Sequence, residues 1–176
     1  GFDVLTGNYV WNQNKEFMSK DVNDTLLLWA CNITDNTLKL YPKNSSGILK
    51  LRINEQFLGE EKNKPIAYQK SQHVSGHSEG RLPINKKSIV VNRVTGCGKK
   101  AQIRAAIVDI GKPYYTENHV NYVTETKNSK MSLEELHKKL ISKETAEILQ
   151  YISGNTQLSK KELLNLIPIK LDNIKE

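Results

Sequence analysis

The hydrophobic pattern changes its period near Lys127, and this change limits the folds open to the chain. Before Lys127, short β-branched and aromatic runs alternate with Gly-, Asn- and Ser-rich segments, a pattern typical of strands and turns. After it, leucines recur at helical spacing. Strands followed by helices predict an α+β fold, with a mixed, mostly antiparallel β-sheet region followed by short C-terminal helices. The 176 residues suffice for one domain, with a β-rich part over 1–127 and a helical part over 128–176 packed on it.

The first third of the chain predicts short strands separated by polar loops. Residues 1–12 are expected to form a strand, a turn at Gly7 and a second short strand. Further strands are predicted over residues 25–33, 38–41 and 48–53, where apolar side chains cluster or alternate. The polar stretch 54–80 is expected to be irregular, with only residues 65–68 ordered against a core.

A β-hairpin is predicted in the middle of the chain. Ser88–Val94 is a β-branched run typical of a central strand, and Thr95–Lys100 carries turn residues. Ile103–Ile110 then returns as the partner strand. Tyr115–Thr124 predicts one more short strand.

Three helices are predicted after the strands. Ser132 with Glu135 forms a capping box ahead of leucines at helical spacing. Thr145–Ile152 predicts a second helix, and Ser159 with Glu162 opens a third.

The excess of positive over negative charge is confined to one segment of the chain. Lys and Arg number 26 against 19 Asp and Glu, a net charge of +7. No acidic residue lies between Glu79 and Asp109, and this interval carries as many positive charges as the net charge of the whole chain. They are Arg81, Lys86, Lys87, Arg93, Lys99, Lys100 and Arg104. Such a concentration indicates a polyanion-binding surface, and the alternative is a solvated basic face.

Composition also predicts the cellular compartment of the chain. No stretch reaches the roughly 18 apolar residues of a membrane span, so we expect no membrane association. Cys31 and Cys97 stand far apart, and a secreted domain of this size would carry more cysteine pairs. We therefore expect a reducing compartment, the cytoplasm. The start at Gly1 lacks a signal pattern, and we expect that the chain is a piece of a longer protein.

The motifs that independent catalysis requires are missing from the sequence. Gly96–Lys100 has neither the four-residue spacing nor the Ser/Thr of a phosphate-binding loop. His73 and His77 are spaced like helical metal ligands, but no further ligands stand nearby to complete a site. We therefore predict no catalytic residue, no bound metal and no cofactor in this chain.

Four stretches, in this order along the chain, resemble one protein family. The order is Thr6–Lys15 (T-G-N-Y-V-W-N-Q-N-K), Ile89–Ile107, Glu117–Tyr122 (E-N-H-V-N-Y) and Ser153–Pro168. Together they resemble the TaqI-like C-terminal target-recognition domain of adenine-specific DNA methyltransferases of restriction–modification systems. The resemblance covers most of residues 1–169.

The resemblance implies a role in recognition without chemistry. Enzymes of this family use S-adenosylmethionine to methylate adenine in a short duplex site, with a separate upstream catalytic domain and sometimes a fused endonuclease. The Asn-Pro-Pro-Tyr/Phe motif of that catalytic domain is absent here. The implied function is sequence-specific binding of duplex DNA, with the catalytic domain as partner and S-adenosylmethionine bound there. The fragment itself would not be an enzyme.

The basic residues of the predicted hairpin are the first candidates for DNA contacts. Phosphate contacts are expected from Lys86, Lys87, Arg93, Lys99, Lys100 and Arg104. For Arg93 and Arg104, the alternative is a cross-strand ion pair with a carboxylate such as Glu117.

The loop 153–157 and the polar stretch 54–80 are further candidates. Asn155, Thr156 and Gln157 could reach base edges, or their loop could simply cap a helix. A specificity loop could carry Gln69, Lys70, Gln72, His73 and His77, or that stretch could be disordered.

Polar and aromatic residues elsewhere are assigned structural roles. Glu117, Asn118, His119 and Asn121 could face DNA, but we expect them to form a buried hydrogen-bond network that fixes a turn. Trp11 and Trp29 are expected in the core.

Two other classes of function remain as alternatives. A recognition half of a type I restriction specificity subunit would share the closing motif but needs long helices to pair with its twin, and the helices predicted after Lys130 are short. The second alternative is an interaction module that does not bind DNA.

Overall fold

The structure, a computed structural model, describes residues 1–19, 21, 23–40, 73–76, 82–96, 101–152 and 157–166. Its strands are β1 (Phe2–Thr6), β2 (Met18–Ser19), β3 (Thr25–Leu28), β4 (Ile33–Thr34), β5 (Thr37–Leu38), β6 (His73–Val74), β7 (Ser88–Asn92), β8 (Ala105–Val108), β9 (Tyr114–Thr116) and β10 (Val120–Glu125). Its α-helices are α1 (Leu133–Leu140), α2 (Lys143–Ile152) and α3 (Lys160–Leu166). The predicted α+β fold, with strands first and three short helices last, is confirmed.

An antiparallel sheet with the strand order β1–β10–β7–β8 forms the centre of the molecule. Every side chain of β7 is buried, which explains the uninterrupted β-branched run of this strand. Ile89 and Val91 pack toward the helices, whereas Val90 packs toward a second sheet on the opposite face. Val91 pairs with Ala105 of β8 in antiparallel register, so the predicted central strand and hairpin are confirmed.

The helices cover one face of this main sheet. Leu133, Leu136 and Leu140 lie on one side of α1 and pack against the sheet residues Ile89 and Val91 in one buried cluster. The predicted capping boxes are present. The Ser132 Oγ accepts from the Glu135 backbone N at 3.2 Å, and the Ser159 Oγ accepts from the Glu162 backbone N at 3.2 Å. These caps satisfy backbone N–H groups that the first helical turn leaves without partners.

The second sheet, which the sequence did not predict, covers the other face of the main sheet. Its order is β2–β6–β3–β9, with β3 and β9 parallel and the other pairs antiparallel. Leu26, Leu28 and Tyr114 from this sheet pack on Val90 and Ala106 of the main sheet.

Some predicted strand boundaries are wrong. The single strand predicted over 25–33 is β3, a 3₁₀ turn at Ala30–Asn32, and β4. The strand predicted over 38–41 ends at Leu38, and the one over 48–53 lies outside the described residues, as does the 65–68 segment. The strand predicted over Tyr115–Thr124 is two strands, β9 and β10, separated by a turn.

The N-terminal segment also differs from its prediction. After β1 the chain forms two 3₁₀ turns, Trp11–Gln13 and Lys15–Phe17, instead of a second strand. Trp11 and Trp29 lie with their ring centroids 6.1 Å apart at the edge of a buried cluster around Tyr9, and both are half-buried rather than fully enclosed. No helix in the described ranges is long and apolar enough to cross a membrane.

Candidate nucleic-acid interface

Segments that are far apart in sequence meet at one end of the main sheet. The Gly7 N–H donates to the Val120 carbonyl at 2.7 Å, which fastens the end of β1 to β10. The Arg93 N–H donates to the His119 carbonyl at 3.1 Å, and the Leu158 N–H donates to the Arg93 carbonyl at 2.7 Å. These bonds bring together parts of all four motif stretches, of which the fourth is described over residues 157–166.

Asn121 joins three of these segments through one buried side chain. Its Oδ1 accepts from the Thr6 Oγ1 at 3.0 Å, and its Nδ2 donates to the Leu158 carbonyl at 3.1 Å. Asn121 is completely buried, so the loss of either bond would leave a polar atom without water. The side chain therefore fixes the position of residues 157–158 against the sheet.

Gly7 allows the backbone to come unusually close to the turn after β9. A Cβ atom at this position would lie 2.1 Å from the Glu117 carbonyl oxygen and 2.7 Å from that of Thr116. Two residues later, the Tyr9 N–H donates to the Thr116 carbonyl at 3.2 Å. Only a residue without a side chain fits this contact, which gives a physical reason for a Gly after Thr6.

A buried carboxylate holds the turn between β9 and β10. The Glu117 side chain is 3% exposed, and its Oε2 accepts from the His119 backbone N–H at 2.9 Å. Its Oε1 lies 2.7 Å from the His119 Nδ1, while the imidazole remains 57% exposed. The predicted buried network that fixes a turn is confirmed for Glu117. Asn121 is buried and hydrogen-bonded but joins β1 to residue 158 instead of fixing the turn, and the His119 imidazole is exposed rather than buried.

Arg93 is positioned by a backbone carbonyl and not by a carboxylate. Its Nη1 donates to the Asn118 carbonyl at 3.0 Å, and the side chain is half-buried. The alternative ion pair with Glu117 is not formed, because the Glu117 carboxylate is held by His119. A guanidinium carries five N–H donors, so Arg93 keeps donors that a ligand can accept.

An exposed surface surrounds this guanidinium, and we call it the Arg93 surface. Val94 pairs with Gln157 in an isolated antiparallel bridge, and its side chain is 43% exposed. Gln157 is itself exposed. The structure therefore brings Arg93 and Gln157 together, two residues that the sequence predicted separately as DNA contacts. The Arg93 surface consists of Arg93, Val94, Asn118, His119 and Gln157.

Arg104 lies at the same end of the hairpin but has different neighbours. The Asn92 N–H donates to the Arg104 carbonyl at 2.9 Å, so the two residues are opposite each other. The exposed Arg104 side chain lines an open cleft of about 410 Å³. The other wall of this cleft includes the β4–β5 turn, where Asp35 and Asn36 both have positive φ, as a tight hairpin turn requires.

Lys86 and Lys87 lie at the opposite end of the hairpin from Arg93. Lys87 and Arg93 are six positions apart along the chain, which corresponds to roughly 20 Å at about 3.3 Å per residue. The Lys87 Nζ is bonded to Glu134 of α1 and lies 3.7 Å from the Asp109 Oδ2. The hydrogen bond to Glu134 raises the pKa of the Lys87 ammonium. The segmental charge is therefore split between two ends, and Lys87 is engaged within the protein.

His73 does not lie in a loop, contrary to the prediction of a specificity segment there. It belongs to β6, is 2% exposed and faces Leu26 and Ser19 in the sheet register. Burial lowers the pKa of its imidazole, and the charge of Lys112 adds to this effect. The remaining predicted site residues lie outside the described part of the chain, and these are Gln69, Lys70, Gln72, His77, Lys99, Lys100, Asn155 and Thr156.

The sequence did not indicate two further features, one at the Arg93 surface and one at the opposite end of the hairpin. Val94 is exposed because the strand has already ended at Asn92, a boundary that the apolar pattern does not mark. Lys112 lies just beyond Asp109, where the acid-free interval ends, and was therefore not counted with the hairpin charges. Among the described residues, no three His, Cys, Asp or Glu side chains are grouped so that they could hold a metal ion.

Neither a protein-family model nor a curated protein matches the chain.

Proposed function

We propose that the chain binds duplex DNA in a sequence-specific manner, and that the Arg93 surface forms part of the contact. The observation that carries the proposal is the meeting of the four motif stretches at one end of the main sheet. There, the hydrogen bonds of Arg93 and Leu158 place a guanidinium beside Gln157 and His119.

The residue types of the Arg93 surface suit DNA. An arginine is the most common donor to phosphates and to guanine edges, and a glutamine side chain can bond an adenine edge with two hydrogen bonds. An exposed imidazole held by a buried carboxylate adds a third polar group of fixed position. Because the supporting contacts are buried, the surface is ordered before any ligand arrives, which lowers the entropic cost of binding.

The resemblance of the motif stretches supports a specific setting for this binding. We propose that the chain is the target-recognition domain of an adenine-specific DNA methyltransferase of a restriction–modification system. S-adenosylmethionine and the methyl-transfer residues would then belong to a separate catalytic domain, and the enzyme would act in the cytoplasm.

Helix length favours this assignment over a type I specificity subunit. Such a subunit pairs with its twin through long helices, whereas α1, α2 and α3 have eight, ten and seven residues. Leu133, Leu136 and Leu140 on α1 are also buried against the main sheet of the same chain, so they offer no apolar stripe to a partner helix.

The proposal is tested by equilibrium binding of a duplex selected from a randomised pool, measured by fluorescence anisotropy over a range of salt. We expect the affinity for the selected duplex to fall steeply with salt, because phosphate contacts release counterions. Arg93→Gln should weaken binding by about tenfold, the loss expected for one charge-assisted contact.

Lys138→Gln is the matched control. Lys138 is an exposed residue of α1 on the helical side of the molecule, and its substitution removes one positive charge, as Arg93→Gln does. It should leave the affinity within about twofold of wild type, because an exposed charge that makes no DNA contact is screened by salt. Equal losses in both variants would attribute binding to net charge alone. No selection of any duplex at low salt would contradict the proposal.

A further inference from the structure

A small cavity lies at the end of the hairpin remote from the Arg93 surface. Its volume is about 150 Å³, and we call it the Lys112 cavity. The walls come from the start of β7 and from the turn between β8 and β9, and they include Asn85, Lys86, Lys87, Asp109, Gly111 and Lys112.

The charges around this cavity are not equally available. Lys87 is paired with Glu134 and with Asp109, one positive charge against two negative ones, so Lys87 has no charge left over for a ligand. Lys86 and Lys112 are exposed, and no hydrogen bond or ion pair ties their ammonium groups to another residue that the structure describes. Two ammonium groups therefore remain to attract an anion into the cavity.

The backbone around the cavity is rigid and leaves room at its mouth. Ile84 and Tyr114 exchange two backbone hydrogen bonds of 2.7 and 3.0 Å, and the Tyr114 hydroxyl is bonded to Ser88. Gly111 has φ of +64°, and a Cβ atom placed on it would meet nothing within 4 Å. The turn therefore presents an unobstructed face beside Lys112.

We propose that the Lys112 cavity binds a single phosphate group, with Lys86 and Lys112 as its cationic ligands. Lysine binds phosphate as a point charge, and two lysines on separate walls can each contact one oxygen. The volume supports one phosphate rather than a nucleotide, because pockets for larger ligands measure roughly 300 Å³ or more. Lys87 lines the cavity but is not one of the cationic ligands, because it is paired with Glu134 and Asp109.

A phosphate group has two sources, a free phosphate compound or the backbone of DNA. The DNA source rests on the proposed function. The cavity lies roughly 20 Å from Arg93 along the hairpin, a distance spanned by about six nucleotide steps of 3.4 Å. A duplex that reaches both ends of the hairpin would therefore place one backbone phosphate at this cavity while the Arg93 surface contacts the other end of the site.

The test has two arms on the whole chain. In the first, inorganic phosphate is titrated while the amide NMR signals of Gly111 and Lys112 are followed. We expect saturable shifts that the double variant Lys86→Gln/Lys112→Gln weakens by about tenfold or more, because both cationic ligands are gone. The control Lys138→Gln/Lys139→Gln removes the same charge from exposed positions on α1 and should bind phosphate like wild type.

In the second arm, the salt dependence of duplex affinity is compared for the same variants. One lost phosphate contact should reduce the slope of log affinity against log salt by about 1 in the cavity variant, and the control should keep the wild-type slope.

Phosphate binding with an unchanged slope would support the site but assign it to free phosphate and overturn the DNA source. Phosphate binding by a chain that binds no duplex would leave the site standing and contradict the proposed function. Absence of phosphate shifts at Gly111 and Lys112, or equal shifts in the cavity variant, would overturn the site.

Discussion

At the scale of single residues, three positions build the Arg93 surface without belonging to its exposed part. Gly7 lets β1 approach the turn after β9, Glu117 holds that turn, and Asn121 fastens residues 157–158 to the sheet. All three are buried, so their contribution is to position Arg93 and Gln157 rather than to touch a ligand.

Replacement of Gly7 by alanine is predicted to be strongly destabilising. The new Cβ would lie 2.1 Å from the Glu117 carbonyl oxygen, a backbone atom that cannot move aside cheaply. We expect a loss of about 3 kcal/mol or more in the free energy of unfolding, measured by urea denaturation.

Gly111→Ala is the matched control for this prediction. Gly111 has a positive φ, but its Cβ would meet open space, so only local backbone strain of about 1 kcal/mol is expected. Similar losses for the two variants would show that the contact between Gly7 and the Glu117 turn does not hold the fold.

The sequence could predict some of these residue roles and not others. The rule that buried polar groups need partners was enough to predict that Glu117 fixes a turn and that Asn121 is hydrogen-bonded within the fold. The role of Lys87 could not be predicted, because its partner Glu134 is 47 residues away and belongs to a helix that packs over the hairpin. From sequence alone, a lysine in a basic segment is therefore predicted to contact a ligand, because its long-range ion pair is visible only in the structure.

At the scale of secondary-structure elements, the sequence predicted the helices and strands that local residues determine. α1 and α3 begin directly after their predicted caps Ser132 and Ser159, whereas α2 begins two residues before its predicted start at Thr145. β7 and β8 pair as predicted from a β-branched run. The second sheet was missed, since β2 and β6 have two residues each and the β3–β9 pair is parallel and joins segments far apart in the chain. Strands this short owe their existence to tertiary contacts and leave no periodic pattern.

The cap of α3 predicts a pH-dependent contribution to stability. Hydrogen bonds from the Ser159 hydroxyl and the Ser159 backbone N–H lower the pKa of the Glu162 carboxyl from its ordinary value of 4.5. A carboxyl with a lowered folded-state pKa stabilises the fold above the ordinary value and loses this contribution as the pH falls through the lowered one. Ser159→Ala should therefore cost about 1 kcal/mol at pH 7, measured by thermal unfolding.

The same variant should lose less additional stability than wild type between pH 5 and pH 3, since the pKa of Glu162 returns toward its ordinary value. Glu134 must be kept in both proteins, because the Lys87 ion pair also lowers the pKa of its carboxyl. Parallel stability profiles for wild type and Ser159→Ala over this pH range would contradict the assigned role of the cap.

At the scale of the whole molecule, three layers determine where the charge can act. Helices cover one face of the main sheet and the second sheet covers the other, so both faces of the hairpin strands β7 and β8 are largely buried. The positive charges of the segment that the structure describes, at Lys86, Lys87, Arg93 and Arg104, consequently lie at the ends of the hairpin. The sequence predicted how much charge there is, whereas its division into two sites depends on the layering.

Phosphate contacts from Lys99 and Lys100 remain a prediction from sequence for the DNA interface. Their replacement by glutamine should reduce the slope of log affinity against log salt by about 2, roughly one for each lost phosphate contact. Salt titration of duplex binding measures the slope, with Lys138→Gln/Lys139→Gln as the charge-matched control. An unchanged slope in the Lys99/Lys100 variant would remove both residues from the DNA contact.

DNA binding by the Arg93 surface is tested most directly by the NMR footprint of a selected duplex on the isotopically labelled chain. We expect the amide signals of Arg93, Val94, Asn118, His119 and Gln157 to shift or broaden together at low salt, while those of Lys138 and Lys139 on the helical side stay in place. Shifts confined to the helical side, or no shifts at all on addition of duplex, would contradict the claim that the Arg93 surface binds DNA.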